Sequence, residues 1–283
     1  MTEIDLPQGI VRVRDDGAGP PVVFVHGLLV DGELWRETAA ALVPAHRCVV
    51  PDLPLGAHRH AMRAGADQSP RGVARLVGDL LDRLQLDDVT LVGNDTGGAI
   101  CQFLVDERPE RVARLVLTNC DGFEQFPPAP FGAMVKAARI PGALRTMLLP
   151  ARAAVVRRSP LGFGGLTTRG LPDELTAEWV EAFLSDAGVR RDTERFMRAV
   201  DPGQLLDVAA RLRRYPAAVL LAWGAADPFF DLALGRRLRD AFADARLVEL
   251  PGARAFVPWD EPARLAELIA DFAAEDRATP EAA

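Results

Sequence analysis

Five residues fix most of what this chain can become. An apolar, strand-like run, Val89–Val92, passes directly into Gly93-Asn94-Asp95-Thr96-Gly97 and then Gly98, and a helical stretch, Ala99–Asp106, follows at once. A strand that becomes a helix within five residues packs its backbone tightly. Glycines are therefore needed on both sides of the turn, and the central residue is held in a strained conformation. Here that residue is an aspartate. Its carboxyl projects above the sheet at a helix N-terminus, where N–H groups and the helix dipole favour negative charge. The expectation is an ionised Asp95 suited to nucleophilic attack on carbon. Aspartate is also a common helix N-cap, and the sequence leaves that second role open.

A turn of this kind needs a parallel sheet around it. Short β-branched or apolar runs at Ile10–Arg14, Val22–Val25, Arg47–Val50, Val89–Val92, Leu115–Thr118, Val219–Trp223 and Arg246–Leu250 alternate with amphipathic stretches. That is the pattern of a mostly parallel twisted sheet covered by helices on both faces. Residues 71–84 place Val73, Leu76, Val77, Leu80, Leu81 and Leu84 at helical spacing, and residues 262–272 repeat the pattern with Leu265, Leu268 and Ile269. Between Phe126 and Leu212 the alternation stops, and prolines from Pro127 to Pro172 punctuate short helical pieces. The reading is an α/β core of residues 1–125 and 213–275, with 126–212 inserted as a helical cap, or lid, over the strand ends where such sheets bind ligands. Residues 276–283 are expected to form a frayed tail.

Composition removes several classes of function. Hydrophobic residues at 49% and charged residues at 26% suit a globular chain rather than a disordered one. No run approaches the ~18 to 20 apolar residues of a membrane span, and the first residues lack the basic and apolar regions of a signal peptide, so the expected location is the cytoplasm with no membrane partner. Cys48, Cys101 and Cys120 lie far apart without a Cys-x-x-Cys, which argues against a disulfide framework or a metal site. A net charge of −7 without a basic cluster argues against a nucleic-acid partner. A small molecule is the expected partner, no cofactor is implied, and the oligomeric state is left open. The four histidines stand at 26, 46, 58 and 60, all in the first quarter of the chain.

With these features in place the chain resembles the α/β-hydrolase superfamily, and within it the branch with an aspartate nucleophile, the haloalkane dehalogenases and epoxide hydrolases. The resemblance rests on Val25-His26-Gly27, Leu34-Trp35-Arg36, Asp52-Leu53-Pro54-Leu55-Gly56, the elbow at 93–97, Gly224-Ala225-Ala226-Asp227-Pro228, and Phe256-Val257-Pro258 before a final helix. It implies a carboxylate nucleophile at Asp95, an orienting acid at Asp227 and oxyanion donors in the N–H groups of Leu28 and Thr96. It also implies a histidine that activates water to break the alkyl-enzyme ester. The family's position for that histidine holds Ala255, and no histidine follows His60.

A replacement base has few sources. His26 belongs to the His-Gly turn, and His46 precedes a strand on the opposite edge. His58 and His60 lie in the loop after Arg47–Val50, which opens on the same side of a parallel sheet as Asp95. His58 is the favoured candidate, since imidazole titrates near neutrality. Asp121, just past Leu115–Thr118, is a possible substitute acid or a turn residue. Halide-binding side chains are absent at Leu28 and Thr96, and the single tyrosine, Tyr215, lies outside the cap. Trp35, Phe123, Phe126 and Trp179 are candidate walls of a mostly apolar pocket. The resemblance implies hydrolysis of an ester, epoxide or carbon–halogen bond. A cyclase, lyase or isomerase using Asp95 as base or anchor, and a catalytically silent binder, remain alternatives.

Overall fold

The computed structural model describes residues 1–275; the expected tail, 276–283, lies outside them. Eight strands form one sheet: β1 (Thr2–Leu6), β2 (Gly9–Asp16), β3 (Pro21–Val25), β4 (Arg47–Pro51), β5 (Val89–Asp95), β6 (Val112–Cys120), β7 (Val219–Gly224) and β8 (Ala245–Leu250). Their order is β1-β2-β4-β3-β5-β6-β7-β8. The strands from β4 to β8 run parallel, while β1 and β2 form an antiparallel edge. All seven sequence-predicted strands are present. The unforeseen one is β1, whose Glu3 and Asp5 alternate with exposed or half-buried neighbours as an edge strand allows.

Helices cover both faces. The core carries α1 (Arg36–Leu42), α2 (Pro70–Arg83) and α3 (Thr96–Glu107). Helix α2 starts where Ser69 Oγ accepts the Gly72 N–H at 3.0 Å and Pro70 supplies a preset φ. It buries Val73, Leu76, Val77, Leu80 and Leu81, the positions its spacing predicts. Between β6 and β7 come α4 (Gly132–Ala138), α5 (Ala143–Leu148), α6 (Ala154–Arg157), α7 (Asp173–Ser185), α8 (Ala187–Ala199) and α9 (Pro202–Ala209), with no strand among them. The chain closes with α10 (Leu232–Ala241), α11 (Val257–Asp260) and α12 (Pro262–Ala274). No helix among the described residues is long and apolar enough to cross a membrane.

Topology sets the place for chemistry. After β3 the chain builds β4 on one side, then crosses to lay β5 on the other side of β3. Adjacent strands whose connections leave in opposite directions open a crevice at their carboxyl ends. That crevice lies where β3 and β5 end, at His26-Gly27 and at Asp95.

Candidate functional site

Asp95 ends β5 and starts α3 with φ 54° and ψ −131°, a conformation that disfavours any side chain. The strain is fixed by close packing. A Cβ on Gly97 would run into the Val25 carbonyl, and one on Gly27 would collide with the Asp95 carboxylate itself. The role of simple N-cap is excluded, because the Asp95 side chain makes no capping hydrogen bond to α3. Instead Oδ2 accepts the Leu28 N–H at 3.1 Å, and the Thr96 N–H also favours the charged carboxylate. The Leu28 N–H therefore lies against the elbow carboxylate.

The charge state departs from expectation. Burial pushes the Asp95 carboxyl up to about 7, the two N–H groups pull it down, and Asp227 adds a further upward push. Asp95 is enclosed by protein yet keeps part of its surface open to water. The donors at the helix start moderate the desolvation without overcoming it.

Asp227 is 6% exposed and sits in the loop after β7. Its Oδ2 accepts from Asn119 Nδ2 at 2.8 Å and its Oδ1 from the Phe229 N–H at 2.9 Å. Burial raises it to about 6 against those hydrogen bonds and Arg254. Asn119 was invisible from sequence. Its Oδ1 also accepts the Gly224 N–H at 2.6 Å, so one amide ties the end of β6 to β7 and to the acid. Asn94, inside the elbow, donates from Nδ2 to the Ala255 carbonyl at 2.6 Å and to Thr118 Oγ1 at 2.8 Å. The position of the family histidine is thus held in place and fully buried, but carries only a methyl group.

Among the described residues no histidine nitrogen hydrogen-bonds to Asp95, and His46 Nδ1 and His58 Nε2 are buried without a hydrogen-bond partner. His26 accepts the Leu53 N–H on Nε2 at 2.8 Å, and its Nδ1 faces the Gly27 carbonyl at 2.9 Å, which requires the proton on Nδ1. Burial lowers it to about 4, so it is a neutral strut. His58 is 2% exposed; its Nδ1 accepts the Gly56 N–H at 3.3 Å and its Nε2 lies 3.6 Å from Asp192 of α8. Neither nitrogen of His58 bonds to Asp95, so the expectation of a base there finds no support in its partners. His60 pairs with Glu3 at 2.9 Å near the surface, and His46 lies at the start of β4, the far end of the sheet.

The four aromatic candidates pack as follows. Trp35 is fully buried and packs its ring on Phe24 at 5.0 Å, and Phe126 packs on Phe103 at 6.0 Å. Trp179 is buried against Phe163, with Nε1 donating to Asp31 Oδ1 at 2.7 Å. Phe123 lies beneath the Arg237 guanidinium, 3.8 Å from its ring centroid. Trp35, Phe126 and Trp179 expose no more than 1% of their surface, so no water-sized space touches them appreciably. Aromatic rings in a small domain fill cores first. Leu28, whose N–H meets Asp95, and its neighbour Leu29 are half-buried. The Leu28 N–H could be foreseen from the His-Gly turn.

Asp121, a tentative alternative acid, is 1% exposed and its carboxyl oxygens find no hydrogen-bond partner of good geometry. Burial and then the charge of Asp95 push it well above the usual carboxylate range, with the Thr96 side chain acting the other way. It is a neutral acid stored behind the elbow. Among the described residues no group of three or more His, Cys, Asp or Glu could hold a metal ion, and all three cysteines are buried and free.

An eight-stranded sheet, a strained acidic elbow, backbone donors on its carboxylate and a buried acid after β7 define the class. The chain belongs to the α/β hydrolase fold family, whose model matches residues 20–262, and to its haloalkane dehalogenase-like branch. It is similar to haloalkane dehalogenase 2 of Mycobacterium tuberculosis, 31% identical over 278 residues, 94% of this chain and 92% of the relative. It is also similar to a cis-3-alkyl-4-alkyloxetan-2-one decarboxylase of Shewanella oneidensis, 28% identical over 77% of this chain and 70% of that one. Among solved structures, an α/β hydrolase fold protein from Burkholderia ambifaria superposes with a TM-score of 0.80 at 24% identity, covering 95% of this chain and 97% of that one.

Proposed function

We propose that this enzyme attacks an electrophilic carbon of a small or medium apolar molecule with the Asp95 carboxylate, forming a covalent ester. The Leu28 N–H holds Oδ2, which leaves the other carboxylate oxygen to attack. The observation that carries this reading is the strained Asp95, locked by Gly27 and Gly97 and aimed at backbone donors instead of capping its helix. Residues 126–212 serve as the lid. Support comes from Trp179 bonding to Asp31, and from Asp192 accepting the Met62 N–H at 2.6 Å. A cytoplasmic setting fits three cysteines that remain free.

The second half-reaction differs from the resemblance. With Ala255 in place of a histidine and His58 Nε2 lying 3.6 Å from Asp192, the acid that acts electrically on Asp95 is Asp227. In this reading Asp227 is the base for water, and a carboxylate near 6 is a weaker base than imidazole held by an acid. Ester formation should therefore outrun ester breakdown. A second reading uses the same attack without hydrolysis. It is favoured by the missing histidine and by the Shewanella relative, whose name describes loss of carbon dioxide from a four-membered lactone, a reaction that consumes no water.

Intact-mass measurement tests the proposal. The protein is incubated with 1-haloalkanes, epoxides, aryl esters and β-lactones, then digested to locate any adduct. An adduct on Asp95 that Ala255→His shortens in lifetime by roughly tenfold or more is expected, since a positioned general base is worth about 10²–10⁴. Turnover of a substrate at full rate by Asp95→Asn would overturn it. Lactone consumption with no oxygen taken from labelled water would select the non-hydrolytic form.

A further inference from the structure

Eight large hydrophobic side chains are exposed among the described residues, and five of them, Ile140, Met147, Val155, Val156 and Leu161, fall within residues 140–161. Val155 is 76% exposed and Leu161 72%, more than the N-terminal methionine at 59%. Isolated exposed aliphatics need no explanation, but five in so short a stretch do.

The same stretch has an unusual charge. The chain contains 40 Asp and Glu, yet none occurs between Glu124 and Asp173. Residues 125–172 carry seven Lys and Arg and a charge of +7, so the rest of the chain carries −14 within the total of −7. Arg152 and Arg157 reach carboxylates of α7, Glu181 and Asp173, whereas Lys136, Arg139 and Arg145 have no carboxylate within 4.0 Å among the described residues. Lys136 and Arg139 are exposed and Arg145 is half-buried. The short helices of this stretch rest on the longer ones, α4 on α8 and α5 and α6 on α7.

Two properties together identify the surface such a patch fits. Cations outside close ion pairs attract an anionic partner. The aliphatics gain nothing from a nucleic-acid backbone, whose affinity comes from phosphate contacts and released counterions. A bilayer with anionic headgroups answers both, because phosphates meet the cations and the acyl boundary accepts the aliphatics. We propose that residues 136–161 form a peripheral docking surface for membranes containing anionic phospholipid. It does not depend on the reaction at Asp95.

Flotation of the full chain with vesicles tests this directly. Phosphatidylglycerol–phosphatidylcholine vesicles should carry the protein, pure phosphatidylcholine vesicles should not, and high salt should release it. A triple K136Q/R139Q/R145Q variant should bind on the order of a hundredfold more weakly. Val155→Ser with Leu161→Ser should weaken binding about tenfold. Circular dichroism confirms that each variant is folded. Failure to float with the anionic vesicles would overturn the proposal, as would equal binding to neutral vesicles. Binding to polyglutamate as tight as to vesicles, and indifferent to the Val155 and Leu161 changes, would show a general cationic surface and also overturn it.

Discussion

At Asp95 two opposing effects meet, burial that disfavours charge and backbone N–H groups that favour it, and burial wins, leaving the carboxyl near 7. The sign has two consequences. Activity that needs the carboxylate should rise with pH through about 7 and level off above it, and Asp95→Asn should lose at least about 10³ in rate. A raised carboxyl also makes the native state the better proton binder, so stability contributed below the ordinary carboxylate value is lost as pH climbs through 7. Asp95→Asn should therefore raise Tm by several degrees at pH 8 and change it little at pH 4, where the native side chain is already neutral. An equal Tm at pH 8 for the two proteins would mean that no strained charge is held there. At this scale Asp95 was legible because glycines on both sides of an acid have few other reasons to occur between strand and helix. Asn119 and Asp121 were not, since an Asn-Cys-Asp run at a strand end has no spacing that reports its partners.

Elements show the same division. The parallel strands could be read from runs such as Val22–Val25 because burial on both faces leaves no polar alternation to confuse the pattern, whereas β1 resembles a surface loop until Leu6 pairs with Gly9. Helix α2 announced itself through Ser69, Pro70 and its apolar spacing. What sequence could not supply is long-range pairing. His58 lies on the expected side of the sheet, but its partner, Asp192, comes from α8 far along the chain. Asp192 is wholly buried yet held below the ordinary carboxylate value: burial raises it, and His58, the Met62 N–H and Arg191 together outweigh that penalty. Removing it leaves the Met62 N–H unpaired, a cost of about 1–3 kcal/mol. Asp192→Ala should speed hydrogen exchange in α7 and α8 more than in β5, because the helical segment is tied to the loop after β4 through this contact. Uniform acceleration across the sheet would instead mean that α8 and the core unfold together.

Across the whole molecule five buried acids act in one direction, against Asp192, which its partners hold low. Asp31, Asp52, Asp95, Asp121 and Asp227 are all raised, each chiefly by burial, Asp95 to about 7 and Asp227 to about 6. Only His26 opposes them in the same range. Burial lowers it to about 4, so the stability it contributes is present above its ordinary value and lost as pH falls through 4. Between those limits the native chain holds more protons than the unfolded chain, which makes stability fall as pH rises. The net charge of −7 adds to the trend, since deprotonation increases self-repulsion in the compact state. Acids held down by arginines, such as Asp106 beside Arg211 and Arg71, matter only when pH falls toward the ordinary carboxylate range. The urea midpoint should accordingly be higher at pH 6 than at pH 8.5, an inversion of what surface ion pairs alone would give. Asp121→Asn should flatten that slope more than any exposed Asp→Asn change, because Asp121 is buried and held well above the ordinary carboxylate range. A midpoint equal or higher at pH 8.5 would show that water reaches these carboxyls.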